Sequence, residues 1–262
     1  MIYYFSCLAV FICAYAVNLT FVSLFYHRWA THGAIDLHPV LKRFAVSMGS
    51  WVTGIDLKGW VCMHRLHHVY SDTEKDPHSP KRFGIFGTIK GQLLSYNHIL
   101  RRLIKNDPVY TSIVNDLNFP VHWLNRRKLW ILPYLLHFAV WIGLGLGFDS
   151  WLLGYAYFLG MMSHPIQGWM VNAFGHALGY RNFDIGDDSR NNTLVAWLVF
   201  GEGYQNNHHR FPKSAKFSVR WFEFDMGYQL CLLMSAFGLV KILNVAVLEP
   251  NGLTHLQESP SW

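Results

Sequence analysis

The sequence predicts an all-α integral membrane protein, and three features lead to that fold class. Charged residues make up only 15% of the 262 residues, whereas a typical soluble domain is about 25% charged. Hydrophobic residues make up 52%, and a lipid-facing surface accounts for this composition because it needs no charge. The charges that are present avoid two long stretches, which are therefore the candidate membrane segments.

The first candidate span covers residues 2–26. Residues 1–26 contain no charged residue, and about 20 apolar residues are enough to cross a bilayer as a helix. The run has no basic leading region and no small-residue cleavage site, so we do not expect a signal peptide. Residues 129–148 and 151–171 make up the second stretch, whose single charge is Asp149. We interpret it as a transmembrane hairpin with a tight turn between two spans.

The basic residues indicate how these spans are oriented. Fifteen of the 22 Lys and Arg residues lie between residues 27 and 128, six lie between 172 and 220, and Lys241 is the last. If the first of these regions is cytoplasmic, all 22 are cytoplasmic, as the positive-inside rule requires. The prediction is a multi-pass membrane protein whose N-terminus lies outside. Two buried core helices in a soluble protein are the alternative interpretation.

Two further apolar segments are expected to be helices that lie on the membrane surface. Residues 44–62 contain Asp56 and Lys58, and residues 226–248 contain Lys241. Such a mixture of apolar and charged positions suits the interface better than the bilayer core. We find no internal repeat, and we interpret residues 1–262 as a single domain.

The net charge of +6 alone would suit a nucleic-acid partner, but 11 Trp and 19 Phe are unusual for a nucleic-acid module. We therefore expect no nucleic-acid partner. The four cysteines show no paired spacing, which argues against a disulfide framework and against a CxxC zinc site.

Fifteen histidines are the outlying count in the composition, and most of them fall in short motifs. Residues three or four apart on a helix share one face, and this spacing relates His64, His67 and His68. Asn172 and His176 are related in the same way. By the predicted topology, all the motifs lie next to helix ends on the cytoplasmic side. The four motifs are His27-Arg28-Trp29-Ala30-Thr31-His32, His64-Arg65-Leu66-His67-His68, Asn172-Ala173-Phe174-Gly175-His176, and Gln205-Asn206-Asn207-His208-His209 followed by Arg210-Phe211-Pro212.

The number of motif histidines predicts two metal ions. Imidazole suits iron, copper, zinc and nickel, and eight histidines exceed the roughly six positions around one such ion. The predicted architecture is therefore a membrane helical protein with a cytoplasmic helical cap that holds a histidine-rich dimetal site. Zinc is an alternative on affinity alone, although structural zinc sites are closed four-ligand cages. A non-catalytic haem or metal binder is a further alternative, with His137 and His164 facing each other across the spans.

In these motifs the chain resembles the membrane fatty acid desaturases, specifically the acyl-CoA Δ9 (stearoyl-CoA) desaturase type. The resemblance extends from about residue 20 to residue 240. The matching segments are His27–His32 for the family's HRxxxH box, His64–His68 for HRxHH, Asp76-Pro77-His78 for the DPH that follows, Val171–His176 for VNxxxH, and Gly201–Pro212 for GEGxHNxHHxFP.

The resemblance implies a dinuclear non-haem iron centre that nine histidines hold. Asn172 takes the place of an asparagine that reaches one iron through water. The ninth histidine falls at Gln205, whose amide oxygen is a weaker ligand than imidazole. The histidines carried over as iron ligands are His27, His32, His64, His67, His68, His176, His208 and His209.

The head group of the substrate is left open by the resemblance. The charged pair that helps to hold the CoA head group in the family corresponds to Cys62 and Met63 here. A basic pair further along the chain corresponds roughly to Tyr96 and Asn97. Because these residues carry no charge, three carriers of the acyl group stay open: CoA, an acyl carrier thioester and a membrane lipid.

The implied activity is that of an O₂-dependent di-iron desaturase, which introduces a double bond into a long-chain acyl group at the Δ9 position. Trp60 matches a residue that lines the family's kinked acyl tunnel, and Gly168 stands where its threonine partner would be. Electrons are expected from a partner protein, a ferredoxin or a cytochrome b5-like donor, because no flavin or nicotinamide fingerprint occurs. A related histidine-box hydroxylase or ketolase is the alternative within the oxidoreductases.

Overall fold

The computed structural model describes residues 2–248 and 254–258 and is mostly helical, as the sequence predicts. Two π-helical segments, Thr20–Thr31 and Met170–Phe174, adjoin α-helices. The α-helices are α1 (Ile2–Leu19), α2 (Pro39–Thr53), α3 (Leu57–Tyr70), α4 (Pro80–Phe83), α5 (Gly87–Ile104), α6 (Pro108–Ile113), α7 (Trp123–Arg126), α8 (Leu132–Gly147), α9 (Trp151–Met161), α10 (His164–Trp169), α11 (Gly175–Ala177), α12 (Thr193–Leu198), α13 (Gln205–Arg210) and α14 (Met226–Ala236). The strands are β1 (Ile35–Leu37), β2 (Val240–Ile242), β3 (Asn244–Leu248) and β4 (Thr254–Glu258).

The first helix covers the first predicted span. α1 and the π-helical segment Thr20–Thr31 run on without a break, and they contain neither Gly nor Pro, the residues that most disfavour a helix. Within the described residues, Tyr3–Thr31 is the one helix that is long and apolar enough to cross a membrane. Helices α8, α9 and α14 are apolar but shorter.

Helix α9 packs against both α1 and α8, and small residues allow the close approach. Gly160 lies against Ala14 of α1, and Gly154 lies against the carbonyl oxygen of Trp141 in α8, so that a Cβ atom at either glycine would collide. Contacts of this kind are typical of helices that associate in a membrane. The outward faces of the three helices carry exposed apolar side chains, among them Phe5, Leu8, Ile12, Leu135, Phe138, Leu146, Trp151 and Leu159.

The segment 44–62, predicted as one helix, consists of parts of two helices. α2 ends at Thr53, and Gly54 then adopts a left-handed conformation with φ of 75°, which glycine reaches without steric cost. Asp56 begins α3 by accepting a hydrogen bond from the Gly59 amide at 2.9 Å. Such an N-cap satisfies an amide that has no partner inside the helix. The break separates α3, which carries the second histidine motif, from α2.

Two other predicted helices also end early. The helix predicted over 151–171 stops at Met161, and α10 begins anew with Pro165 in its first turn, where proline's missing amide hydrogen is not needed. The helix predicted over 226–248 ends at Ala236, and Gly238 follows with φ of 68°. Beyond it the chain forms β2 and β3, so the helical prediction for residues 237–248 is wrong.

The strands connect distant parts of the chain. β1 pairs antiparallel with β2, with Ile35 opposite Ile242 and Leu37 opposite Val240. β3 pairs antiparallel with β4. The first ladder therefore joins the segment just after the first histidine motif to the segment after α14.

Arg28 links the first helix to Glu202 in the last matched motif and to Asp225 beyond it. Its side chain is fully buried, and Nη1 donates to Glu202 Oε1 at 2.8 Å. Nη2 donates to both carboxylate oxygens of Asp225, at 3.0 and 3.1 Å. The guanidinium also lies 3.8 Å from the centroid of the Phe217 ring. Glu202 in turn contacts His27, and the Phe217 ring lies 4.7 Å from the His208 ring, so the network adjoins two histidines of the motifs.

Candidate metal centre

The histidines of the four motifs assemble into two groups. In each group the candidate ligand atoms all lie within 4.8 Å of one another. We call them the five-histidine group and the three-histidine group. The five-histidine group comprises His27, His32, His64, His68 and His208, and the three-histidine group comprises His67, His176 and His209.

The two groups are neighbours. The Nε2 atoms of His67 and His209, in the three-histidine group, are 3.3 Å apart. The His209 ring lies 4.5 Å, centroid to centroid, from the His68 ring of the five-histidine group. The structure therefore brings together all eight histidines that the sequence singled out, in an arrangement suited to two adjacent metal ions.

The π-helical segment explains the spacing of the first motif. His27 and His32 are five residues apart, and an α-helix does not place such residues on one face. A π-helix is closed by hydrogen bonds between residues five apart, and the structure is π-helical over Thr20–Thr31. The two rings accordingly lie 4.8 Å apart, centroid to centroid.

The second and fourth motifs each contribute to both groups. His64 and His68 are one turn apart on α3, and their Nε2 atoms are 3.0 Å from each other. His67 lies between them in sequence and points to the three-histidine group. On α13, His208 and its neighbour His209 divide in the same manner. Adjacent residues on a helix point in different directions, so His67 and His68, like His208 and His209, belong to separate groups.

Four of the motif histidines each have a carboxylate at their Nδ1 atom. His27 Nδ1 is 2.6 Å from Glu202, His67 Nδ1 is 3.0 Å from Asp76, His176 Nδ1 is 2.8 Å from Asp72, and His209 Nδ1 is 2.7 Å from Asp187. A hydrogen bond from Nδ1 to a carboxylate fixes the tautomer and leaves Nε2 free as a metal ligand. We call Glu202, Asp76, Asp72 and Asp187 the supporting carboxylates.

These carboxylates were not predicted from the sequence. Asp76 and Glu202 stand inside the matched motifs, so the motifs themselves were an available signal. Asp72 and Asp187 lie outside the histidine motifs, and nothing in their spacing marks them. Burial raises the pKa of both, but the hydrogen bonds from His176 and His209 outweigh burial and bring the pKa below the usual 3.8. Both are therefore ionised at neutral pH.

The buried imidazoles are held in the neutral form that a metal ion requires. Burial lowers their pKa, and the neighbouring imidazoles lower it further because like charges repel. A histidine must be neutral to donate its lone pair to a metal. The histidines whose pKa is brought well below 6.5 are His32, His64, His67, His68 and His208.

Unpartnered polar atoms also face the centre. Gln205 is buried, and its Nε2 donates to the Glu202 carbonyl at 2.7 Å, while its Oε1 has no hydrogen-bond partner. The Nε2 atoms of His32 and His176 also lack partners. Buried polar atoms are normally paired, so these atoms fit a bound cation. Asn172 is buried as well and donates to Gln92 Oε1 at 3.3 Å.

An apolar cavity reaches the centre, and we call it the inner cavity. The side chain of Trp60 lines it and stacks on His64 at 5.0 Å. Gly168 also lines it, and a Cβ atom there would lie 3.2 Å from Gln92 Oε1. Because His27, His64, Asn172 and Gln205 contribute to its wall as well, a chain in the cavity would lie next to the five-histidine group.

His78 is a residue beside the site for which the sequence predicted no role, although it stands in the matched DPH segment. It is buried, its ring lies 4.4 Å from the His67 ring, and neither of its nitrogens has a partner. Burial lowers its pKa to about 4, so it is neutral. It lines the inner cavity. The DPH match was the signal that pointed to it.

The two histidines considered for a haem site have other surroundings. His137 Nδ1 is 2.7 Å from the Tyr157 hydroxyl, and its Nε2 is 2.9 Å from the Trp51 carbonyl. Both nitrogens are thus occupied by protein partners. His164 begins α10 and lines the inner cavity.

Known proteins match the chain along most of its length. Residues 4–232 match the family described as fatty acid desaturase. The chain is 31% identical over 244 residues to a hex-5-enoyl-[acyl-carrier protein] acetylenase of Moorena producens (strain JHB), covering 86% of this chain and 73% of that protein. It is 32% identical over 231 residues to an sn-1 stearoyl-lipid 9-desaturase of Anabaena variabilis, covering 86% and 79%. It is 29% identical over 231 residues to acyl-CoA desaturase 1 of Saccharomyces cerevisiae, covering 86% of this chain and 43% of the yeast protein.

Proposed function

The chain belongs to the fatty acid desaturase family, and from this premise we propose that it is an O₂-dependent di-iron desaturase of long-chain acyl groups. As a family member it is an oxidoreductase that acts on fatty acyl chains. The proposed product carries a new double bond at the Δ9 position, on an acyl group attached to CoA or to a membrane lipid. One observation carries the proposal: two histidine groups lie side by side, and His27 and His64 of the five-histidine group form part of the wall of an apolar cavity.

We assign one iron to each group. The five-histidine group holds the first, and the three-histidine group holds the second together with Gln205 Oε1. Asn172 acts on the second through water. When bound, the two irons supply the activation of O₂ and the oxidising power that removes two hydrogens from adjacent methylenes. The nitrogen-rich donor set and the unpartnered buried atoms support this assignment.

The side chains of the protein position the substrate and keep water away. Trp60 and Gly168 shape the inner cavity, and a narrow apolar wall fixes which methylenes lie beside the histidines. The supporting carboxylates hold the imidazoles in one orientation before the metal binds. Burial of the histidine groups excludes water from the reacting carbons.

The membrane arrangement is part of the proposal. The N-terminus lies outside, residues 2–26, 129–148 and 151–171 span the bilayer, and 44–62 and 226–236 lie at its surface. The exposed apolar faces of α1, α8 and α9 support this arrangement, because large apolar patches are unfavourable in water. The metal centre then lies on the cytoplasmic side, where a ferredoxin or a cytochrome b5-like protein delivers electrons. The net charge of +6 favours an acidic donor.

Expression in a host that lacks Δ9 desaturation tests the function. We expect a monounsaturated Δ9 product, measured by fatty-acid profiling of each lipid class. A double bond at another position would contradict the Δ9 assignment but not the desaturase function. A product one oxygen atom heavier than the saturated acyl group would assign the chain to the related hydroxylases. A Soret band in purified protein that forms no product would support a haem binder.

The supporting carboxylates give a prediction about metal affinity. Asp187→Asn removes the charge that faces His209 Nδ1, and we expect iron affinity to fall by roughly 10- to 100-fold. Chelator competition on purified protein measures this change. Asp184→Asn is the matched control, because Asp184 is exposed on the same loop and should leave iron affinity unaltered. Equal affinity in the two variants would contradict the role of Asp187.

A further inference from the structure

Six large apolar side chains on α12 and on the segment before α14 are exposed, and we call them the aromatic face. Each of the six is more than a third exposed, and Trp221 is 95% exposed. The rings of Trp197 and Phe224 stack 5.2 Å apart, centroid to centroid, so the two segments are in contact. The members of the aromatic face are Leu194, Trp197, Leu198, Trp221, Phe222 and Phe224.

The acidic residues of the second segment are turned inward. In the run Trp221-Phe222-Glu223-Phe224-Asp225, both carboxylates are buried and all three aromatic rings are exposed. Asp225 pairs with Arg28, and Glu223 accepts a hydrogen bond from Asn207 Nδ2 at 2.9 Å. A surface that faces water normally shows the opposite arrangement, with charges outward and large apolar side chains inward. This inversion indicates that the aromatic face does not face water.

The end of α12 lies beside the middle of the first helix. The Tyr15 hydroxyl donates to the Leu198 carbonyl at 3.0 Å, and Tyr15 is near the midpoint of the span proposed over residues 2–26. The buried side of α12 packs there too, since Val195 and Leu19 belong to one cluster. Because the proposed arrangement places this span across the bilayer, the exposed side of α12 lies at the depth of the acyl chains.

The composition of this surface suits the boundary between acyl chains and head groups. Tryptophan is enriched at that boundary, because its ring is mostly apolar and its N–H can reach a polar partner. Arg220 is exposed directly before Trp221, and its Nε donates to the neutral amide of Asn182 at 3.0 Å. Its charge can therefore also attract a lipid phosphate. An acidic soluble partner would need cations, and the six members of the aromatic face have none.

We propose that the aromatic face inserts into the cytoplasmic leaflet of the bilayer. The inference rests on the membrane arrangement given under the proposed function, and it adds a contact that none of the proposed spans or surface helices contains. Insertion removes the six apolar side chains from water, which is favourable roughly in proportion to the apolar area buried. The Asn192 amide at the start of α12 donates to the Gly203 carbonyl at 2.8 Å, two residues before α13. The inserted surface thus helps to position the fourth motif, which carries His208 and His209.

Photolabelling from within the bilayer tests the inference. The full chain is reconstituted, one copy per nanodisc, in equal parts of phosphatidylcholine and phosphatidylglycerol whose acyl chains carry a diazirine. Mass spectrometry then maps the adducts. We expect adducts on residues 194–198 and 221–224 as well as on α1. Val69 on α3 and Val109 on α6 are the matched controls, because they are 71% and 66% exposed outside the aromatic face, and they should stay unlabelled.

The pattern of adducts separates this inference from the membrane arrangement on which it rests. Adducts on α1 without adducts on the aromatic face would overturn the inference and leave the proposed spans intact. If α1 were unlabelled as well, the membrane arrangement itself would be wrong, and the inference would fail with it. Equal labelling of Val69 and Val109 would show that exposure alone produces adducts, and it would overturn insertion too.

Tryptophan fluorescence provides a second measurement on variants that keep an aromatic ring at each changed position. In nanodiscs of lipids with brominated acyl chains, Trp197→Phe with Trp221→Phe should lose part of the emission that bromine quenches in the unchanged chain. Trp29→Phe is the control, because Trp29 is only partly exposed and stacks on Phe119 near the first motif, so the quenched emission should not fall. An equal fall in the two variants would contradict insertion of the aromatic face.

Discussion

His67→Ala is expected to abolish product formation while the protein still inserts into the membrane. His67 belongs to the three-histidine group, with Nε2 3.3 Å from His209 Nε2 and Nδ1 3.0 Å from Asp76. Removing it takes one imidazole from the three-histidine group and leaves Asp76 buried without its partner. We expect iron to fall from two toward one per chain and the fatty-acid profile to return to that of the host. Iron analysis and lipid profiling measure the two effects separately.

His98→Ala is the matched control for this substitution. His98 is exposed on α5, and its Nε2 lies 3.2 Å from the Tyr110 hydroxyl, outside both histidine groups. It should keep both iron and activity. Circular dichroism in detergent checks that the two variants are equally helical. Full activity of His67→Ala would contradict the ligand assignment.

Arg28→Ala should produce the largest loss of stability in the chain. The guanidinium is fully buried against Glu202 and Asp225 and also contacts the hydroxyl of Ser23. Truncation leaves two carboxylates buried without their cation, and breaking a buried pair in this way costs about 3–5 kcal/mol. We expect a marked fall in the unfolding temperature of the purified protein, measured with and without iron.

Lys42→Ala serves as the comparison. Lys42 forms an ion pair with Asp36 at 2.7 Å, and both side chains are more than a third exposed. Pairs of this kind contribute at most about 1 kcal/mol, so the unfolding temperature should hardly change. If Arg28→Ala were as mild as Lys42→Ala, the buried network would not be what holds the first helix in place.

The convergence of the histidines follows in large part from sequence spacing. Residues three and four apart on an α-helix share a face, which is why His64, His67 and His68 were expected to act together. The mostly helical character followed from composition. The pairing of His27 with His32 did not follow, because α-helical geometry separates residues five apart and only the π-helical segment brings the two rings together.

Other features depend on contacts that a single sequence does not reveal. Asp187 reaches His209 across 22 residues of sequence through a loop, and no local pattern marks it. Gly238, just beyond the end of α14, has a φ of 68°, and the sequence alone does not distinguish such a glycine from one inside a helix, where φ is negative.

The burial of Arg28 has a consequence for biosynthesis. Its anionic partners lie 174 and 197 positions further along the chain, and His27 meets His208 across 181 positions. On the ribosome the first helix emerges long before these partners are translated. Until then the guanidinium of Arg28 lacks the carboxylates that neutralise it in the folded protein. The histidine groups are therefore complete only after His208 and His209 have been translated, so the full set of imidazoles cannot hold an ion before the end of the fourth motif has left the ribosome.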